Sequence, residues 1–152
     1  RVRALHPDWT YVADSVMGGV SRGQASTEQV AGRKAMRLKG TVSTDNGGGF
    51  IQMAFDLEQD ASGCTGLELD VCGNGETYDL RLRTTRLTRA WQSFRTGFVA
   101  PSTWTTITVP FETLEAYRTD ANFDASELRR VGVVAVGREF AVDVAVSGVR
   151  LV

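Results

Sequence analysis

The sequence predicts an all-β chain, an antiparallel β-sandwich of jelly-roll type with one or two short helices, and three observations carry that expectation. Apolar and polar residues alternate with period two over most of the chain, as in Ile51, Met53, Phe55 and Leu57 against Gln52, Ala54 and Asp56; this is the pattern of a sheet with one buried face. About eight or nine such runs are separated by short Gly, Asn and Pro turn signals, the spacing of a sandwich rather than of alternating strand and helix. Helix signals occur in just two brief stretches, neither longer than about two turns.

In chain order, Trp9 to Ala13 is aromatic and β-branched enough for a short strand, and Arg33 to Ser43 forms a longer one with Met36, Leu38 and Gly40 on one face. Thr44-Asp45-Asn46-Gly47 reads as a hairpin turn, since Asn-Gly accepts positive φ, with the further glycines pointing to a bulge or longer loop. Leu67, Leu69 and Val71, the turn Gly73-Asn74-Gly75-Glu76, and Tyr78, Leu80 and Leu82 read as the clearest hairpin. That pairing sets acidic Glu68 and Asp70 beside basic Arg81 and Arg83 on the outer face, worth under ~1 kcal/mol per pair. Ser93 to Val99 and Trp104 to Val109 are two further strands, the second stopped by Pro110. The helical stretches are Phe111 to Tyr117 and a turn through Arg130 capped by Asp124 or Ser126. Val131 to Val136, then Phe140, Val142, Val144 and Val146, and finally Val149 and Leu151, complete the sheet-forming material.

The length, 152 residues, fits one domain over 1–152 that buries about two thirds of its unfolded surface. With 42% hydrophobic residues, a net charge of −1 and no apolar run of membrane-span length, a soluble chain that does not span a membrane is expected. Its charges are interspersed, so the basic stripe that binds a phosphate backbone is missing and nucleic acid is not an expected partner. The compartment is open between bacterial cytoplasm and periplasm, and the start at Arg1 leaves room for a removed leader. Cys64 and Cys72 flank an extended run that would hold their backbones about 20 Å apart, so neither a disulfide nor a zinc site is expected.

No metal or cofactor, and no catalytic residue, follows from the remaining residue types. His6 is the one histidine and lies near the terminus beside Pro7, a poor place for the base of a nucleophilic triad. Gly18-Gly19 lacks the Lys and Ser/Thr of a phosphate-binding loop. Carboxylates such as Glu68 with Asp70, or Asp14 with Asp45, would need a defined separation and a raised pKa to cleave glycosides.

Two stretches stand out. Val12 to Ser21 contains Asp14, Ser15, Gly18, Gly19 and Ser21, which suit a shaped, polar-lined loop. The second glycine cluster carries Gly48 and Gly49, and close backbone approach between the two clusters is the expected use of the glycines. As a surface for a ligand or partner, the candidates are Asp79, Arg81 and Arg83 on one strand face, with Trp91 in the Arg-rich stretch that follows. The charged face has a plainer reading as solvated cross-strand pairs, and Trp91 as an aromatic folded over the sandwich edge. Trp9 and Trp104 read as core.

The ordered set Trp9, Asp14, Met17-Gly18-Gly19, Ser21, Gly40, Gly48-Gly49-Phe50, Gly73-Asn74-Gly75, Tyr78, Leu80, Arg83, Phe98, Trp104, Val109-Pro110-Phe111 and the Val131-Gly132 to Phe140 run resembles the complex I intermediate-associated protein (thirty-kilodalton) family. The resemblance covers nearly the whole chain. It implies a galactose-binding-like β-sandwich related to carbohydrate-binding modules, no enzymatic activity, and a chaperone-like role in assembling respiratory complex I. Two positions depart from the family pattern: Ala54 stands where an arginine commonly follows the Gly-Gly-Phe, and Asn74 where the turn commonly has Asp. The expectation is a non-catalytic binding domain acting on protein partners, respiratory-complex subunits among them. A carbohydrate-binding module is the alternative.

Overall fold

The computed structural model describes residues 2–152. Its strands are β1 (Arg3–Ala4), β2 (Thr10–Ala13), β3 (Arg22–Val30), β4 (Arg33–Val42), β5 (Phe50–Asp56), β6 (Gly66–Gly73), β7 (Thr77–Thr84), β8 (Ser93–Val99), β9 (Thr105–Pro110), β10 (Glu115–Tyr117), β11 (Leu128–Val136) and β12 (Phe140–Leu151). They form two antiparallel sheets. The first runs β3-β4-β12-β6-β9, with β1 also on β12; the second runs β10-β8-β7-β11-β5-β2. The inner faces carry the alternating apolar sets, Leu38, Val42, Leu67, Leu69, Val71 and Val144 from one sheet and Ile51, Met53, Leu80, Leu82, Val131 and Val133 from the other, all at 0–1% exposure. Burial of these inner faces drives the two sheets together.

Both turns expected to close hairpins instead carry the chain from one sheet to the other. β6 is flanked on both sides by β12 and β9, so no edge is left for β7, which pairs with β8 and β11. The Gly73–Glu76 turn is tied down by other partners: Asn74 Nδ2 donates to the Ala141 carbonyl at 2.9 Å, and the Tyr78 hydroxyl donates to Asn74 Oδ1 at 2.7 Å while accepting from the Asp143 amide at 3.0 Å. The segment Asp45–Gly47 is likewise a 3-10 turn, with Asn46 at φ 58°, that leads from β4 in the first sheet to β5 in the second. An Asn-Gly turn signal reports the local backbone, and which sheet the next strand joins depends on which neighbours are already paired.

The expected charge pairs are corrected with it. Glu68 and Asp70 bond Arg150 on β12 at 3.1 and 2.8 Å, and Arg81 bonds Asp79 within its own strand at 2.8 Å. Phe111 to Tyr117 splits into a 3-10 turn, Phe111–Thr113, and the edge strand β10. The second helical stretch is one 3-10 turn, Ala125–Glu127, whose cap is the Asp124 side chain accepting from the Ser126 amide, and β11 begins immediately after it. The edge strand β3 went unread because its Arg-Gly-Gln-Ala-Ser-Thr-Glu-Gln-Val sequence has little apolar alternation; it hairpins with β4 through Ala31 and Gly32, both at positive φ. Trp9 packs edge-on against Phe55 with centroids 4.9 Å apart. Trp104 is no core residue: it is half-buried, donates to the Val30 carbonyl at 2.9 Å and lies under Arg33.

Candidate functional site

The loop after β2 is organised by one buried carboxylate. Asp14 is 0% exposed, and its oxygens accept from the Ser21 hydroxyl at 2.6 Å, the Ser21 amide at 3.1 Å, the Gly49 amide at 2.6 Å and the Phe50 amide at 3.3 Å. Burial pushes its pKa up, but the bonds from Ser21, Gly49 and Phe50 outweigh it, and the carboxyl sits below its ordinary value. Ser21 extends the network by accepting from the Ser43 amide at 2.9 Å. Ser15 contributes its carbonyl, which receives the Gly18 amide, while its side chain is exposed. The glycines divide the work: Gly18 takes φ 86° with open space around it, whereas a Cβ on Gly19 or Gly48 would meet the Asp14 carboxyl within 2.5 Å. Asp14 therefore fastens the loop to the start of β5, and the loop carries Met17, 59% exposed, onto the outer face of the second sheet.

That face holds a groove of about 500 Å³. Its floor follows from small residues at outward positions. Ala54, Gly132 and Arg81 sit in one cross-strand row, so β5 and β11 offer only a methyl and a hydrogen there. The walls polarise along the strands. Toward the Arg130 end lie Arg83, Arg118, Trp91 and Tyr117; toward the Val136 end lie Val12, Met17 and Phe50. No Asp or Glu lines it. The outer face of the first sheet is different in kind: Arg37 is bidentate to Asp143 at 2.7 and 2.6 Å, and Arg150 holds Asp70, so these two arginines are matched by carboxylates.

Of the residues proposed from sequence as a ligand or partner surface, Arg81, Arg83 and Trp91 line this groove, and Asp79 lies just outside it, bonded to Arg81. Trp91 stands 58% exposed on the loop between β7 and β8, with the Arg89 guanidinium 5.9 Å from its ring centre. Arg83 has a job of its own in that loop. It donates to the carbonyls of Arg89 and Gln92, both at 2.6 Å, and of Leu87 at 3.2 Å. Gln92 completes the brace, accepting from the Thr88 and Arg89 amides and donating to the Arg118 carbonyl at 3.1 Å. Arg83→Met should thus free the loop, and trypsin should cut after Arg86 or Arg89 several-fold faster; an unchanged cleavage rate would show that the loop is held by other contacts.

Sequence reading missed Arg118, Arg130, Tyr117 and Gly132. They enter the groove from β10, the residue after it and β11, far along the chain, and only the register Asp56, Arg130, Arg83 across β5, β11 and β7 reveals the neighbourhood. Arg130 reaches the exposed Asp56 at 2.8 Å. Burial first, then the Arg130 charge beside it, pull Arg83 below the usual arginine range. Among the described residues, no group of three or more His, Cys, Asp or Glu converges as a metal site, and no helix is long and apolar enough to cross a membrane.

The family model for Complex I intermediate-associated protein 30 (CIA30) matches residues 3–143. No curated protein matches the chain. Among solved structures it resembles a family 11 carbohydrate-binding module from Clostridium thermocellum, in complex with a β-1,3-1,4-mixed-linked tetrasaccharide, with TM-score 0.81 and 13% identity over 99% of this chain and 95% of that one. A family 30 carbohydrate-binding module superposes with TM-score 0.66 and 16% identity over 99% of this chain and 94% of that one. An exo-β-agarase matches with TM-score 0.61 and 11% identity over 97% of this chain but 24% of the enzyme. At these identities the likeness concerns the fold alone.

Proposed function

From the premise that this chain belongs to the Complex I intermediate-associated protein 30 family, we propose that it is a non-catalytic binding domain that grips a protein partner during assembly of a membrane complex. The observation that carries this reading is the groove on the second sheet. It gathers Trp91, Met17, Tyr117 and arginines around an apolar floor, and Trp, Tyr, Met and Arg are the residue types enriched where protein partners dock. Nothing in the groove pairs a nucleophile with a base or sets two carboxylates across a cleft, which supports binding without chemistry.

A native pull-down tests it. Trp91→Ala should reduce recovery of the partner about 30-fold or more, the effect of losing an exposed aromatic anchor. Recovery unchanged by Trp91→Ala and by Met17→Ala together would remove this face as the docking site.

Carbohydrate binding is the second reading, and the fold it shares with a module solved on a tetrasaccharide favours it. A free-standing Trp beside arginines can stack on a sugar ring. Against it, the groove lacks the carboxylates that commonly accept from sugar hydroxyls. A glycan array read with wild type and Trp91→Ala separates the two: a β-glucan signal abolished by the substitution would establish the sugar reading.

A further inference from the structure

We propose that the groove takes an extended acidic segment of the partner, about six residues long, with carboxylates over the Arg83, Arg118 and Arg130 end and an apolar residue over the Met17 and Phe50 end. This rests on the protein-binding reading above and adds the partner's chemistry to it.

Four arginines line the groove, Arg81, Arg83, Arg118 and Arg130, and no acidic residue does. Arg81 and Arg130 have carboxylate partners, Asp79 and Asp56. Among the described residues neither Arg83 nor Arg118 pairs with one. Arg83 and Arg130 moreover sit directly opposite each other across β7 and β11, an arrangement of like charges that costs stability. A bound carboxylate would relieve it, since an arginine fork receives a carboxylate through two parallel hydrogen bonds.

A second observation lies at the same end. Ser93, paired with Tyr117 across β8 and β10, lines the groove at 4% exposure, and its hydroxyl has no hydrogen-bond partner. A buried hydroxyl without a partner is rare, and this one lies beneath the basic end of the groove. Length follows from the floor. The outward positions Arg130, Gly132, Val134 and Val136 on β11 run the length of the groove, and six residue steps at about 3.3 Å each span roughly 20 Å. Basic at one end and apolar at the other, the walls suit a segment of complementary charge and polarity better than a neutral sugar chain.

The test uses fluorescein-labelled hexapeptides and fluorescence anisotropy. One carries three glutamates followed by alanine, valine and leucine; the others replace the glutamates by glutamines or by lysines. The glutamate peptide should bind at least 10-fold more tightly than either, and weaken as salt is raised from 0.05 to about 0.5 M. Arg118→Glu, on an exposed side chain outside the strand ladder, should cost at least 10-fold without moving the melting temperature, and Arg118→Lys should restore part of the loss. Equal binding of the three peptides, or none by any, overturns the acidic segment while leaving a Trp91-dependent pull-down untouched. Polygalacturonate binding in the absence of peptide binding overturns it too, and replaces the peptide with an acidic polysaccharide. Loss of the Trp91 dependence in the pull-down is the separate failure that removes the underlying reading.

Discussion

Gly48→Val is expected to destabilise the fold by more than about 4 kcal/mol, enough to abolish soluble expression. A Cβ at residue 48 would lie 2.5 Å from Asp14 Oδ2 and 2.8 Å from the Gly19 Cα, and neither can retreat. The carboxyl is held by bonds from Ser21 and Gly49, and Gly19 by its amide bond to the Asp14 carbonyl at 2.8 Å. The cost is steric, because Gly48 has φ −78° and ψ −158°, extended backbone open to any residue. Gly18 gives the contrast. It sits at φ 86° with nothing within 4 Å of its would-be Cβ, so Gly18→Ala should cost only the ~1 kcal/mol of a left-handed alanine. Urea unfolding of Gly18→Ala beside Gly48→Ala checks the order, and equal losses at the two sites would refute the close-approach account.

The meeting of the two glycine clusters was legible because Asp, Ser and paired Gly are each poor strand and helix residues, and a run of them demands a shaped loop. Which glycine did what was not legible, since φ and open space are properties of the packed state. Strand existence was likewise readable from alternation in β5, β6, β7 and β12, because half-buried strands imprint period two on their side chains. Pairing was not. Gly73-Asn74-Gly75 would look the same in a hairpin and in a crossover, and only the occupancy of both β6 edges by β12 and β9 decides between them. The groove shows the same division. Arg81, Arg83 and Trp91 are close in sequence and could be grouped by eye, whereas Arg118 and Arg130 join them through strand order. The arginine that the family pattern favours near Ala54 is absent from the floor, and basic character comes instead from β7, β11 and the residue after β10. Arg83 further shows why a charged outward residue is a poor guide by itself: its three carbonyl bonds tie it to the Trp91 loop, so its effect on a ligand runs partly through the position of that loop.

Asp14→Asn is expected to cost about 3 kcal/mol, which for a chain of this size lowers the melting temperature by about 6 to 12 °C. The change keeps the shape but removes the charge, and it turns an –NH2 toward a site where every neighbour, the Ser21 hydroxyl and the Ser21, Gly49 and Phe50 amides, is already donating. The same carboxylate ties stability to pH. Its folded pKa lies below the ordinary value, so the unfolded chain takes up the proton first as pH falls. The contribution is whole above the unfolded pKa near 4, declines as pH drops below it, and is gone once pH has passed the lower folded value. Asp70, held down to about 2 by Arg150 hydrogen bonds, loses its contribution on the same side, between about 4 and 2. Acid unfolding of wild type and Asp14→Asn separates the two carboxylates: the variant should start less stable at pH 7 and lose less between pH 5 and 2, because only Asp70 and weaker groups remain to be protonated. Parallel curves for the two proteins would mean that Asp14 is not the ionised centre of the loop. In that case the position of Met17 at the groove's apolar end would need another explanation than the Asp14 hydrogen bonds.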